Sequence, residues 1–192
     1  MKKLLLLFAS IALIVITTNA QIGIASLPKA KAKPKPFAEA GSGFHFGAGL
    51  SLGLPIGDWS DFWSFGIGVE AQGEYMFSEK FSGVFNSGYT SFLGKKVDFG
   101  FGEEKVDAIG IIPILAGVRV YPAPQFFIGA RAGLGIFTGG GSSESGFQYR
   151  PEIGYNGGPI QIALGFNGWS KNGENDNYLG LTALYIFGGT KE

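Results

Sequence analysis

Residues 44 to 54 read FHFGAGLSLGL, and apolar and small or polar residues alternate along this segment without a break. In an extended chain, successive side chains point to opposite faces. One face would carry Phe44, Phe46, Ala48, Leu50, Leu52 and Leu54, and the other His45, Gly47, Gly49, Ser51 and Gly53. The pattern therefore predicts a β-strand with one continuous apolar face.

Similar alternation recurs about every twenty residues, and the second face of these segments is rich in glycine and charge. Glycine makes up 33 of the 192 residues, and much of it lies inside the alternating segments. Glycine in a strand interior is a liability in a soluble sheet, but small inward residues let a narrow barrel close. We therefore expect the apolar face to meet lipid and the small or polar face to line a barrel.

The alternation and the turn residues predict eight strands. They cover residues 42 to 54, 64 to 77, 81 to 93, 108 to 121, 126 to 138, 147 to 156, 159 to 169 and 178 to 187. Long and short connections alternate between them, which is typical of an eight-stranded antiparallel up-and-down transmembrane β-barrel with short periplasmic turns. The third strand has no clean polar face and the fourth is apolar on both, so a bulge near Pro113 is expected to change the phase of the fourth.

The N-terminal segment predicts export. Lys2 and Lys3 precede an apolar run of about 13 residues that is too short to span a bilayer as a helix, and cleavage is expected near Ala20. The predicted organisation is a signal peptide at 1–20, a Lys/Pro-rich periplasmic leader at 21–41, a barrel at 42–187 and a short tail at 188–192. No cysteine is present, so a disulfide framework and a lipidated cysteine are excluded. The expected location is the outer membrane of the cell.

Charge is divided along the chain. Six of the 15 basic residues precede Phe37, whereas all 15 acidic residues follow it. The barrel segment is therefore net negative, and nucleic acid is not an expected partner.

Several short motifs occur in an order that is similar to a known family. They are Pro55, Gly57 and Asp58 in the first loop, Tyr75 and Ser78 at the first turn, Gly88, Tyr89 and Thr90 in the third strand, and Pro113 and Tyr121 in the fourth. Over residues 42 to 187 the chain resembles small OmpA/OmpX-like outer-membrane β-barrel proteins of the type common in Bacteroidetes. The resemblance implies an eight-stranded barrel without shared catalytic residues.

Six charged residues are expected to point into the barrel: Glu70, Glu74, Arg119, Arg131, Arg150 and Glu152. Eight strands enclose a bore that side chains can fill, and three guanidinium groups can neutralise three carboxylates there. We interpret the set as a structural plug, and a gated polar path for small solutes is the alternative. A separate set of strand-end aromatics is expected to form two interfacial girdles: Trp59, Trp63, Tyr121, Phe126, Trp169 and Tyr178.

Catalysis and metal binding find little support in the sequence. His45 is the only histidine, and Ser51 lies six residues further along the same strand, about 20 Å at 3.3 Å per residue. The acidic loop that contains Asp98, Glu103, Glu104 and Asp107 lacks an EF-hand spacing, which leaves a solvated loop or weak cation bridging to lipopolysaccharide phosphates.

The sequence predicts a non-enzymatic outer-membrane barrel with a structural or surface-interaction role. A small porin-like channel or transporter is the second candidate and a lipid-modifying enzyme the third. No cofactor is expected. The expected partners are outer-membrane lipid, lipopolysaccharide and the barrel assembly machinery, and the expected state is a monomer.

Overall fold

The computed structural model describes residues 43–98 and 102–187. The predicted signal peptide, periplasmic leader and C-terminal tail lie outside the described residues.

Within the described ranges, the chain forms ten strands and one short helix. They are β1 (Gly43–Ile56), α1 (Trp59–Phe62), β2 (Trp63–Ser78), β3 (Phe81–Gly94), β4 (Lys96–Asp98), β5 (Glu103–Lys105), β6 (Ile109–Ala123), β7 (Phe126–Gly139), β8 (Ser142–Asn156), β9 (Ile160–Lys171) and β10 (Glu174–Phe187). No helix in these ranges is long and apolar enough to cross a bilayer.

Eight of the strands form a closed antiparallel barrel in the order β1-β10-β9-β8-β7-β6-β3-β2, and β4 and β5 pair separately as a small hairpin. Closure occurs between the first and last strands, where Phe46 pairs with Phe187 and Ile56 with Asn177. The predicted eight-stranded antiparallel up-and-down barrel is confirmed. We call the end with the β2–β3, β6–β7 and β8–β9 connections the turn end, and the opposite end the loop end.

Two connections at the loop end are shorter than the sequence analysis predicted. Residues 139 to 146 and 170 to 177 were expected to be long loops, but strand pairing continues to Gly139–Ser142 and to Lys171–Glu174. The turns consist of Gly140-Gly141, with φ of 58° and 80°, and Asn172-Gly173, with φ of 52° and 92°. Two consecutive residues with positive φ match the twist of a hairpin, and Gly-Gly and Asn-Gly favour that conformation.

The third and fourth barrel strands, β3 and β6, also keep a regular alternation. The inward residues of β3 are Ser82, Val84, Asn86, Thr90 and Phe92, and those of β6 include Ile111, Pro113, Leu115, Arg119 and Tyr121. Pairing of β6 with β7 runs through Pro113 opposite Gly135 without a register shift. The expected bulge near Pro113 is therefore wrong. A proline removes one ladder hydrogen bond, but it does not require an extra residue in the strand.

Inward glycines allow neighbouring strands to approach each other closely. A Cβ atom added at Gly117 would overlap the carbonyl oxygen of Ala130 on β7, and one added at Gly49 would overlap that of Ala183 on β10. Both contacts are with backbone, so no side-chain rotation could relieve them. Such glycines let a sheet bend sharply enough to close, which explains why so many occur inside these strands.

The outer wall of the barrel is apolar. Large side chains exposed on it include Phe44, Leu50, Ile67, Val69, Val118, Ile128, Ile153 and Leu164. Aromatic rings also cover outward glycines on the facing strand, as Phe46 does opposite Gly73 and Tyr149 opposite Gly168. A soluble sheet would bury such a face, whereas a membrane barrel presents it to hydrocarbon.

Candidate functional site: the barrel lumen

The structure brings together all six charged residues that were expected to point into the barrel. They form a linear sequence of alternating charge, Glu74–Arg119–Glu152–Arg131–Glu70–Arg150, which we call the charge chain. It runs along the bore. On β2, Glu74 lies near the turn end, and Glu70 lies four residues closer to the loop end. Each of the four central members pairs with two residues of opposite charge.

The turn-end half of the charge chain is centred on Arg119. Arg119 Nη1 lies 2.6 Å from Glu74 Oε2, and Nε lies 2.8 Å from Glu152 Oε1. The same guanidinium donates to the side-chain oxygens of Gln72 and Gln161, at 2.8 and 3.1 Å. Arg119 is fully buried, and its hydrogen-bonding groups are directed at acceptors on several strands. Planar guanidinium groups suit this kind of multiple, directional contact.

Glu74 is held by four donors. Besides Arg119, it accepts hydrogen bonds from the hydroxyls of Ser82 and Tyr121, each at 2.5 Å, and from Gln72 Nε2 at 3.1 Å. Burial of a carboxylate is costly unless its oxygens are paired in this way. The neutral donors therefore satisfy the hydrogen-bonding capacity of Glu74 that Arg119 leaves open, at the turn end of the charge chain.

The loop-end half crosses the full width of the barrel. Arg131 contacts Glu152 on the adjacent strand and, at 3.2 Å, Glu70. Arg150 Nη1 lies 2.8 Å from Glu70 Oε2, and its Nε donates to Asn167 Oδ1 at 2.5 Å. Glu70 is on β2 and Arg150 on β8, which are four strands apart in either direction around the eight-stranded ring. This ion pair therefore joins opposite walls of the lumen.

An apolar cluster fills the lumen at the turn end. Its members are Met76, Tyr121, Phe127, Ala163, Leu184 and Ile186, all of them buried. The guanidinium carbon of Arg119 lies 4.1 Å from the centre of the Phe127 ring, so the cluster packs directly on the charge chain. A guanidinium over an aromatic face adds a favourable cation–π contact.

A second cluster, mainly aromatic, fills the lumen at the loop end, and we call it the mouth cluster. It comprises Trp59, Phe92, Ile111 and Tyr178, with Trp63, Ile109 and Phe137 packed against it. The ring of Trp59 lies 4.9 Å from that of Phe92, 5.6 Å from Phe137 and 6.0 Å from Tyr178. Because Trp59 begins α1, the first connection at the loop end folds inward over the bore.

Four of the six aromatics predicted for the membrane interface lie inside the barrel instead. Trp59, Trp169 and Tyr178 are each 5% exposed and Tyr121 is 2% exposed. Trp63 is partly buried against the mouth cluster, and Phe126, 55% exposed, lies on the outer wall. The girdle prediction is therefore wrong for Trp59, Tyr121, Trp169 and Tyr178.

Three of these aromatics can be located from the alternation of inward and outward positions along their strands, which we call parity. Tyr121 is two residues from inward Arg119, and Trp169 is two residues from inward Asn167. Tyr178 has the parity opposite to that of Leu179, which the sequence places outside. Trp59 precedes β2, and no alternation could have placed it.

The candidates for catalysis are engaged in other contacts or lie apart. Ser51 Oγ lies 3.0 Å from Thr90 Oγ1 in a buried hydrogen bond. His45 is buried on the same strand and is the register partner of Glu74. Among residues 43–98 and 102–187, no group of three or more His, Cys, Asp or Glu side chains is arranged to hold a metal ion.

Comparison with known proteins gives structural neighbours only. No family model and no curated protein matches the chain. Among solved structures, the crystal structure of Ail, the attachment invasion locus protein of Yersinia pestis, is similar with a TM-score of 0.52 and 14% identity, covering 77% of this chain and 99% of Ail. The backbone structure of the outer membrane protein Ail in a phospholipid bilayer nanodisc is similar with a TM-score of 0.53, 14% identity and the same coverage. The barrel fold of this chain is therefore the one found in small outer-membrane β-barrel proteins, as its sequence motifs implied.

Proposed function

We propose that this chain is a non-enzymatic outer-membrane β-barrel with a closed lumen and a structural or surface-interaction role. The observation that carries the proposal is the Glu70–Arg150 ion pair, which joins opposite walls of the bore. Apolar or aromatic clusters occupy the lumen on both sides of it. A small porin-like channel would need a continuous aqueous path through the bore. The turn-end cluster, the charge chain and the mouth cluster are packed in succession along the bore, which disfavours such a path.

The membrane location is supported by the outer wall and by the fold. The wall presents phenylalanine, leucine, isoleucine and valine side chains, and an eight-stranded barrel satisfies its backbone hydrogen bonds internally. Ail, which shares the fold, is an outer membrane protein. The proposal includes outer-membrane lipid and lipopolysaccharide as surroundings, the barrel assembly machinery as the insertion partner, a monomeric state, and a loop end that faces the exterior of the cell.

A lipid-modifying activity has less support than the closed barrel. Such chemistry would need a base beside a nucleophilic hydroxyl, whereas Ser51 is paired with Thr90 and lies six residues from His45. The charged side chains in the lumen form ion pairs with one another. We therefore assign them a role in the stability of the barrel.

The proposal can be tested on the outer-membrane fraction of cells that express the full chain. We expect the protein in this fraction, with an N-terminus at or near Gln21. Because every barrel strand is paired on both sides, the unboiled protein should migrate differently from the boiled protein in a denaturing gel. Recovery of the protein with Met1 intact in the cytoplasm, or identical mobility of boiled and unboiled membrane-extracted samples, would contradict the proposal.

A further inference from the structure

Three asparagine–glycine pairs occur close together in the C-terminal part of the barrel: Asn156-Gly157, Asn167-Gly168 and Asn172-Gly173. Asparagine followed by glycine is prone to spontaneous deamidation, because glycine has no Cβ to hinder attack by its backbone nitrogen on the asparagine side chain. The reaction needs an accessible side-chain amide, a backbone N–H that is free to react and local freedom of the backbone. The structure gives the three pairs very different surroundings.

The pair Asn156-Gly157 is protected at the turn end. Asn156 is the last residue of β8 and is fully buried. The nitrogen that would have to react is engaged, because the Gly157 N–H donates to the Ile160 carbonyl at 2.8 Å. Reaction at this pair would require the strand end to open.

The pair Asn167-Gly168 is protected inside the wall of the barrel. Asn167 is 1% exposed, and its side-chain oxygen accepts a hydrogen bond from Arg150 Nε. Gly168 lies within β9 and is paired with Tyr149 on β8 and with Asn177 on β10. Reaction here would require β9 to separate from a neighbouring strand.

The pair Asn172-Gly173 differs in each respect. It forms the two-residue turn between β9 and β10, and both residues are exposed. Strand pairing ends at Lys171–Glu174, and the Gly173 N–H donates to no backbone carbonyl of the described residues. Within the part of the chain that the structure describes, the Asn172 side chain makes no hydrogen bond either. An exposed turn at the end of a hairpin opens at a lower free energy than the interior of a sheet.

We propose that Asn172 is a site of spontaneous deamidation in the folded protein, and that Asn156 and Asn167 are protected from this reaction. The inference goes beyond the proposed function, because it concerns a covalent change at the loop end and not the closure of the lumen.

The reaction uses water as its only co-reactant. The Gly173 backbone nitrogen attacks Cγ of Asn172, so that a bond forms between this nitrogen and Cγ. The bond between Cγ and Nδ2 breaks, and Nδ2 leaves as ammonia with the proton of the Gly173 N–H. Water then opens the succinimide ring. Hydrolysis at Cγ gives aspartate with the ordinary backbone, whereas hydrolysis at the backbone carbonyl carbon gives isoaspartate.

Both products place a new negative charge at the tip of the β9–β10 hairpin. Lys171, whose Nζ lies 3.4 Å from Glu144 Oε1, and Glu174 flank the turn. Aspartate followed by glycine still favours a two-residue hairpin turn, so this product should retain the hairpin. Isoaspartate lengthens the main chain by one methylene group, which does not fit the two-residue turn. The surface of the loop end therefore changes in charge, and in the isoaspartate form also in shape, as the protein ages.

The test follows the wild-type full chain, folded in detergent micelles and incubated in neutral buffer, by peptide mapping with mass spectrometry. We expect Asn172 to convert about tenfold or more faster than Asn156 or Asn167, because these two react only from opened molecules. The gel mobility of unboiled samples shows that the barrel remains folded during the incubation. In the boiled, urea-denatured chain, where no pair is protected, the three pairs should convert at similar rates.

Two variants identify the modified residue. Asn172→Gln should remain unmodified at this position, because glutamine would have to form a less favourable six-membered ring. Asn172→Asp should have the same position in isoelectric focusing as the aged wild-type protein. An Asn172 that stays unmodified in the folded protein while the denatured chain converts, or equal rates at the three pairs in the folded protein, would overturn the proposal.

Discussion

Replacement of Arg119 by methionine is expected to destabilise the folded barrel by roughly 3 to 5 kcal/mol. The substitution keeps most of the side-chain volume but strips Glu74 and Glu152 of their shared cation. Both carboxylate side chains are 1% exposed in the folded protein, so water cannot replace the guanidinium without a rearrangement of the lumen. Denaturant unfolding of the protein reconstituted in lipid vesicles measures the change in the free energy of unfolding.

Two further variants show whether this loss comes from stranded charge. Lys80→Met removes an exposed basic residue at the turn end and should change the stability by less than about 0.5 kcal/mol. Glu152 keeps its ion pair with Arg131 in this variant, whereas Glu74 loses its cation. Adding Glu74→Gln to Arg119→Met removes that stranded charge, so the double variant should be more stable than Arg119→Met alone. A loss below about 1 kcal/mol for Arg119→Met would mean that the charge chain contributes little to stability.

Replacement of Gly117 by alanine is expected to cost about 1 to 3 kcal/mol and to slow assembly of the barrel. The added methyl group would overlap the Ala130 carbonyl oxygen, so β6 and β7 would have to separate. Gly73→Ala is the matched control, since the nearest atom to its added Cβ is in the Phe46 ring at 3.8 Å, an ordinary contact distance. Unfolding midpoints and refolding yields of the two variants give the comparison. Equal stability of both would contradict the close-approach role of inward glycines.

Alternation predicted the inward position of five of the six members of the charge chain, and Arg119 was expected beside them although its strand is apolar on both faces. Alternation could not predict which residues pair, because pairing depends on how far each strand is shifted along its neighbours. Glu70 and Arg150 are 80 residues apart in sequence and meet only because β2 and β8 face each other across the closed ring. Parity fixes the side of the wall on which a residue lies, whereas closure determines its partner.

The alternation of apolar and polar residues did not distinguish the two faces of a strand where the lumen itself is apolar. In β3 and β6, inward positions carry Val84, Phe92, Ile111 and Leu115, so both faces look hydrophobic. The strand-end aromatics were misplaced for a related reason. Their nearness to a strand end indicated an interface, yet parity placed Trp169 inside, where the mouth is closed by rings rather than by charges. Asn-Gly is a common two-residue hairpin turn, so Asn172-Gly173 indicates a tight turn rather than a long loop over residues 170 to 177.

Conductance of the folded wild-type protein in planar lipid bilayers is the most direct measurement of lumen closure. We expect no steady conductance, because an ion pair spans the bore and packed clusters occupy it on both sides. Arg131→Leu should lower the stability of the barrel, since it removes the link between Glu70 and Glu152. A stable channel in the wild type, with Arg131→Leu raising its conductance and leaving the unfolding midpoint unchanged, would contradict the closed barrel and favour a pore.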